Sequence, residues 1–222
     1  MKLKMALACV AASVSAAGSA AAVTVPGTSC PWLAGMPDGT RANSYDVAPN
    51  QSPALFTGSA VVPGATMRFV ATGSASNEPS GFNEGPDGAP PEPATNASGA
   101  EHDIGNCTAP LRSLLGVFLS DSAPNLSPAP GDLDFSGDGI NFTTLSPGLK
   151  QVFFIGDGRN NDGVLQAFVV PAGATRLFLG MSDRFQWANN SGAFEVTLVP
   201  APGVLSGLGL AACGTLRRRR GV

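Results

Sequence analysis

Short apolar runs alternate with Gly- and Pro-rich breaks along most of the chain. In Phe194-Glu195-Val196-Thr197-Leu198, apolar and polar residues strictly alternate. That is the period of a strand with one buried and one wet face. Runs of this kind predict strands over 54–62, 66–72, 114–120, 151–155, 166–170, 176–181 and 193–199. Phe153-Phe154-Ile155 is continuously apolar and reads as a central strand. Pro/Gly breaks at 61–65 and 169–174 predict two hairpin turns. A helical period is nowhere sustained, 110–115 being the nearest approach. The expected fold is all-β: one β-sandwich domain of roughly eight strands. Two stretches, 73–106 and 121–139, are too long for plain connectors and read as functional or decorative loops.

The two ends depart from this pattern. Residues 1–22 carry Lys2 and Lys4, then an apolar run too short to span a bilayer, then Ser19-Ala20-Ala21-Ala22. This order is that of a signal peptide, with cleavage expected after Ala22 or a neighbour. At the other end, Val199-Pro200-Ala201-Pro202 closes the last strand-like run, 203–216 is apolar and uncharged, and Arg217, Arg218, Arg219 and Arg220 follow. An apolar stretch stopped by arginines reads as a short membrane segment with its basic end in the cytoplasm. The tail at 199–222 resembles the PEP-CTERM sorting signal of Gram-negative bacteria. That resemblance implies an exosortase-type sorting enzyme as a partner, transient or stable anchoring in the inner membrane, and delivery to the periplasm, outer surface or extracellular matrix alongside exopolysaccharide. The family's motif has Glu between the two prolines, where this chain has Ala201.

Composition and charge sharpen the picture. Gly 28 and Pro 19 in 222 residues break the chain too often for a helix bundle, while 43% hydrophobic content suffices for a core. The net charge of -3 hides an asymmetry: all 16 acidic residues but only seven of the 13 basic ones lie in 23–202, which gives 7 minus 16, or -9. Such a surface disfavours nucleic acid as a partner and suits cations. Cys9 and Cys213 lie in the two ends. Cys30 and Cys107 remain, and in an oxidising compartment they are expected either to pair or to stay as buried thiols.

Candidate chemistry is sparse. One histidine, His102, excludes paired-imidazole and His-rich zinc sites. No G-x-S-x-G, P-loop or dinucleotide fingerprint is present, so no catalytic residues are assigned and a binding or structural role is expected. The loop at 156–163 fails the EF-hand order, with Arg159 at its third position and Asp162 at the glycine position, and reads as a polar hairpin turn. The stretch from Asp183 to Gly192 clusters hard oxygens: Asp183, then Asn189, Asn190 and Ser191. Calcium takes six to eight such oxygens. The same residues also suit a plain hairpin turn. Trp187, an aromatic beside polar groups, suits either stacking on a pyranose or core packing.

Asp183, Asn189-Asn190-Ser191-Gly192 and the strand that follows resemble the calcium loop of the LecA-like, calcium-dependent galactophilic lectins. The stretch 70–77 with Gly85-Pro86-Asp87-Gly88, and 109–118, are similar to strands and loops of the same family. The resemblance spans roughly 61–198 with gaps, and places a LecA-like domain at 23–198. It implies a jelly-roll or galactose-binding-like sandwich with a Ca2+ cofactor. Asp183, Asn189 and Asn190 would be side-chain ligands, and backbone carbonyls near Gln186 or Trp187 and at Asn77 would complete the shell. Extracellular polysaccharide or other glycans would be the partners. Glu92 and Thr95 fall where the family has its sugar-contacting His and Gln. A calcium site is compatible with both changes, whereas galactose specificity is not. The alternative is a structural surface or matrix protein that keeps the sandwich without binding a ligand.

Overall fold

A computed structural model describes residues 22–56, 61–81 and 83–199. Among the described residues thirteen strands follow in order: β1 (Ala22–Pro26), β2 (Ala54–Phe56), β3 (Thr66–Met67), β4 (Phe69–Ser76), β5 (Ala89–Thr95), β6 (Cys107–Leu111), β7 (Leu114–Leu119), β8 (Leu133–Asp134), β9 (Thr144–Leu145), β10 (Val152–Phe154), β11 (Ala167–Val169), β12 (Arg176–Met181) and β13 (Ser191–Leu198). Four short 3₁₀ turns are the helical elements among the described residues, and none is long and apolar enough to cross a membrane. The fold is all-β.

Four sheets carry the strands, in the orders β1-β13-β4, β10-β7-β12-β2, β3-β11-β9 and β5-β6-β8. The alternation seen at 194–198 places Phe194 and Val196 in the core and leaves Glu195 outside, where its carboxylate accepts a hydrogen bond from the Thr24 hydroxyl of the neighbouring β1. β7 is buried along its whole length and lies between β10 and β12. Its Gly116 lets the Phe153 ring approach: a Cβ there would sit 2.7 Å from that ring. Phe69, Phe118, Phe153, Phe154 and Phe168 form a single aromatic core, with Phe118 and Phe153 stacked at 5.2 Å. Aromatic residues dominate such packing because each buries a large apolar area.

Several expectations are corrected here. The breaks at 61–65 and 169–174 do form tight turns, closed by Ala65 N–H to Val62 O and Ala174 N–H to Pro171 O. Neither makes a hairpin, because β2 pairs with β12, β3 with β11, and β12 with β7 and β2. Local turn chemistry bends the chain, but the core decides which sheet each strand joins. The stretch 73–106, read as a loop, contains β5 despite Pro90, Pro91 and Pro93. β5 is an edge strand with a bulge between Ala89 and Pro93, a position where missing N–H donors are tolerated. Of the two outcomes expected for Cys30 and Cys107 the structure has the second: both are free thiols buried in the core, Cys107 at the start of β6 and Cys30 just before the turn at Pro31–Leu33. The polar turn at 156–163 stands, closed by an Arg159–Leu165 bridge and Asn160 N–H to Val164 O. Residues 1–21 and 200–222, with Pro200, Ala201, Pro202, the apolar stretch and Arg217–Arg220, lie outside the described residues. Val199 is described, and its N–H donates to Arg68 O.

Candidate cation and ligand site

The connection 182–190 leaves β12 in one sheet and delivers the chain to β13 in another. It is therefore not a hairpin turn. Its first residue extends the β7–β12 pairing, since Ser182 exchanges backbone bonds with Ser113 and Arg112. Asp183 follows and is buried. Its Oδ1 accepts the Arg184 N–H at 2.6 Å, whereas its Oδ2 is buried without a partner. Burial pushes the Asp183 carboxyl up to about 6, against the lowering effect of the Arg184 N–H and the Asn190 side chain.

The chain then reverses through Gln186, whose φ of 71° is left-handed, into the 3₁₀ turn Trp187–Asn189. This turn is capped from a distant segment. The Asp46 carboxylate, wholly buried, accepts the Trp187 N–H at 3.0 Å and the Ala188 N–H at 2.7 Å. Asn43 Nδ2 donates to the same carboxylate, and Asn43 Oδ1 accepts the N–H groups of Tyr45 and Asp46. Asp46 thus does for this turn what an N-cap side chain does for a helix, but across 141 residues of sequence. Nothing in the local pattern around Asp46 or Trp187 signals this.

Trp187 itself is corrected as a stacking platform. Its ring is fully buried 5.4 Å from that of Trp32, and its indole N–H donates to Met181 O, so no face is offered to a ligand. The Gln186 and Trp187 carbonyls accept the Asn189 and Asn190 N–H groups, which leaves each with one further lone pair.

At the end of the connection, Asn190 Nδ2 donates to Gly27 O at 3.1 Å. That bond to a carbonyl fixes which way the amide points. Asn190 Oδ1 therefore faces away from Gly27, and it is buried without a partner. Asn189 Oδ1 is in the same condition. Three of the residues singled out by sequence thus each present one buried oxygen that accepts no hydrogen bond. Leaving such an acceptor unmet costs about 1–3 kcal/mol each. Carboxylate and amide oxygens are of the type that a hard cation takes. No group of three His, Cys, Asp or Glu side chains suited to a metal occurs among the described residues. The set here is built mostly of amides.

The other predicted residues surround this loop in different ways. Asn77 follows Ser76, which pairs in register with Ser191, so the backbone at Asn77 lies alongside Asn190. The Asn77 side chain is held by Arg112, whose Nη1 donates to its Oδ1 at 2.9 Å. Glu92 sits on exposed β5, 3.6 Å from Arg112 Nη2, with Glu84 at 3.7 Å from the same atom. Thr95 is engaged sideways, sharing a 2.7 Å bond with Thr108 on β6. β5 is tied to the loop by Arg184, which donates to Pro93 O at 3.0 Å. Arg112, with a left-handed φ of 69°, and Asp46 are the organising residues that sequence reading missed.

No family model matches the chain, and no curated protein matches it.

Proposed function

We propose that this chain is an exported protein whose β-sandwich, of the jelly-roll or galactose-binding kind, binds extracellular glycans through a calcium ion. One observation carries the reading: Asp183 Oδ2, Asn189 Oδ1 and Asn190 Oδ1 are buried acceptors without hydrogen-bond partners. They lie within one eight-residue stretch that switches between sheets. Gln186 or Trp187 and Asn77 would add backbone carbonyls. Calcium would supply the charge that these oxygens lack and, in the lectins this chain resembles, a direct bond to sugar hydroxyls. The -9 balance of residues 23–202 favours a cation and disfavours nucleic acid. Export by the N-terminal signal and sorting by an exosortase-type enzyme through the 199–222 tail are part of the same proposal, supported by the sequence resemblance.

The test is thermal melting of the chain with added calcium or chelator, together with a glycan array under both conditions. At a hundredfold excess over Kd, calcium should raise Tm by about 5–10 °C. Asp183→Ala should remove that shift. Melting and glycan binding that ignore calcium and chelator alike would overturn the reading. A second reading, a surface protein that keeps the fold without a ligand, is favoured by Glu92 and Thr95, which are turned to Arg112 and Thr108. It predicts no glycan binding at any calcium concentration.

A further inference from the structure

Two aromatic side chains stand exposed at the loop that buries Trp187. Phe185 lies two residues after Asp183 and is 43% exposed. Tyr45, the chain's one tyrosine, lies one residue before Asp46 and is 53% exposed. Their rings meet edge to face, with centroids 5.6 Å apart and planes at 88°. The pair joins segments 140 residues apart (185 minus 45) at the place where Asp46 clasps the loop.

The backbone beneath both rings is fixed before any ligand arrives. Tyr45 N–H donates to Asn43 Oδ1 at 2.8 Å, Arg41 Nη1 donates to Ser44 O at 3.1 Å, and Arg41 bridges to Val47. On the other side, Arg184 O accepts the Ala97 N–H at 2.8 Å. Exposed aromatics on a fixed frame lose little freedom on binding. Each ring leaves on the order of 100 Å² outside, taking half of a typical aromatic area. The total is far below the roughly 1,000 Å² that a stable protein partner needs. Because the planes stand at 88°, one ring meets the apolar C–H face of a single sugar ring while the other bounds it at the edge, and the Tyr45 hydroxyl adds a donor and acceptor for a ring hydroxyl.

We infer that Tyr45 and Phe185 form an aromatic ledge that takes the apolar face of a pyranose beside the Asp183–Asn190 loop. The ledge replaces Trp187 in the stacking role and rests on the carbohydrate-binding reading above. It divides the work: loop oxygens hold the cation, and the ledge reads the ring that the cation orients.

The experiment titrates the full chain, with calcium and with chelator, against a glycan array and a panel of free methyl pyranosides. It compares wild type with Tyr45→Ala, Phe185→Ala and Phe185→Leu, the last keeping apolar bulk without a ring. Each variant should keep the calcium-dependent rise in Tm, which shows a folded loop, and lose about tenfold in affinity for the sugars that wild type binds. Tyr45→Phe should bind within about threefold of wild type. Variants that keep the calcium shift and bind sugars as tightly as wild type overturn the ledge. A wild type that takes calcium but binds nothing on the array or panel also overturns it, while leaving the cation site standing. Sugar binding that ignores chelator yet falls in the ring variants supports the ledge and removes the calcium reading.

Discussion

Asp183 carries a consequence in its protonation. Its carboxyl titrates near 6 in the fold, above the ordinary value of 3.8, because burial disfavours the charge. Between those two pH values the folded chain holds more protons than the unfolded one, so stability falls as pH rises through that window. The full cost, on the order of 3 kcal/mol, is reached above pH 6 in the absence of cation. Asp183→Asn removes this slope. Chemical denaturation in chelator at pH 4.5 and 7 should therefore show wild type losing stability relative to Asp183→Asn as pH rises. Calcium should restore the loss at pH 7 and do little at 4.5, where protons occupy the same carboxylate. A wild type and variant with parallel pH profiles would show that Asp183 stays ionised at no cost. The neighbouring amides make the same point from the other side. Asn190 donates to Gly27 O and leaves its oxygen as a buried acceptor, which a cation or a hydrogen-bond donor would satisfy.

Among the elements, the connection between β12 and β13 depends on a segment that has no strand of its own. Asp46 holds the 3₁₀ turn Trp187–Asn189 through two backbone bonds, and truncation would leave two N–H donors unmet. Asp46→Ala should cost about 2–4 kcal/mol in denaturation and weaken calcium binding, because the turn that carries Asn189 and leads to Asn190 loses its cap. Asp46→Asn, which keeps one acceptor, should fall between. Equal calcium affinity in all three proteins would mean that β12 and β13 position the loop without help. The strand of 176–181 was readable from sequence to the residue, and those of 114–120 and 193–199 within two residues, since their patterns report burial directly. β5 was not, because its prolines argue against a strand unless its place at a sheet edge is known. Asp183, Asn189 and Asn190 were legible as polar residues of one short connection, and each has a buried oxygen without a partner. Asp46, Arg112 and Tyr45 were not, since each reaches the loop from far along the chain, and no local window contains both partners.

Across the whole molecule, the core sets how reactive the Cys30 and Cys107 thiols are. Both are buried, and burial pushes both thiols up, which suppresses the reactive thiolate. Labelling with a maleimide, read by peptide mapping, should leave Cys30 and Cys107 unmodified in the native protein and modify both in denaturant. Fast labelling of either in native buffer would show a looser core than this one. Elsewhere in the molecule, β1-β13-β4 form a three-stranded sheet with β13 at its centre. In that sheet β13 lies between two antiparallel neighbours, paired from Ser191 to Leu198 with β4 and from Ala193 to Thr197 with β1. Tension applied at Leu198, as on a body held by its last strand, runs along β13 and loads both ladders in shear, so their bonds resist together instead of peeling singly. The Asn189–Asn190 end of the loop lies at the opposite end of that strand, roughly 25 Å away at about 3.4 Å per residue, and is the last part to feel the pull.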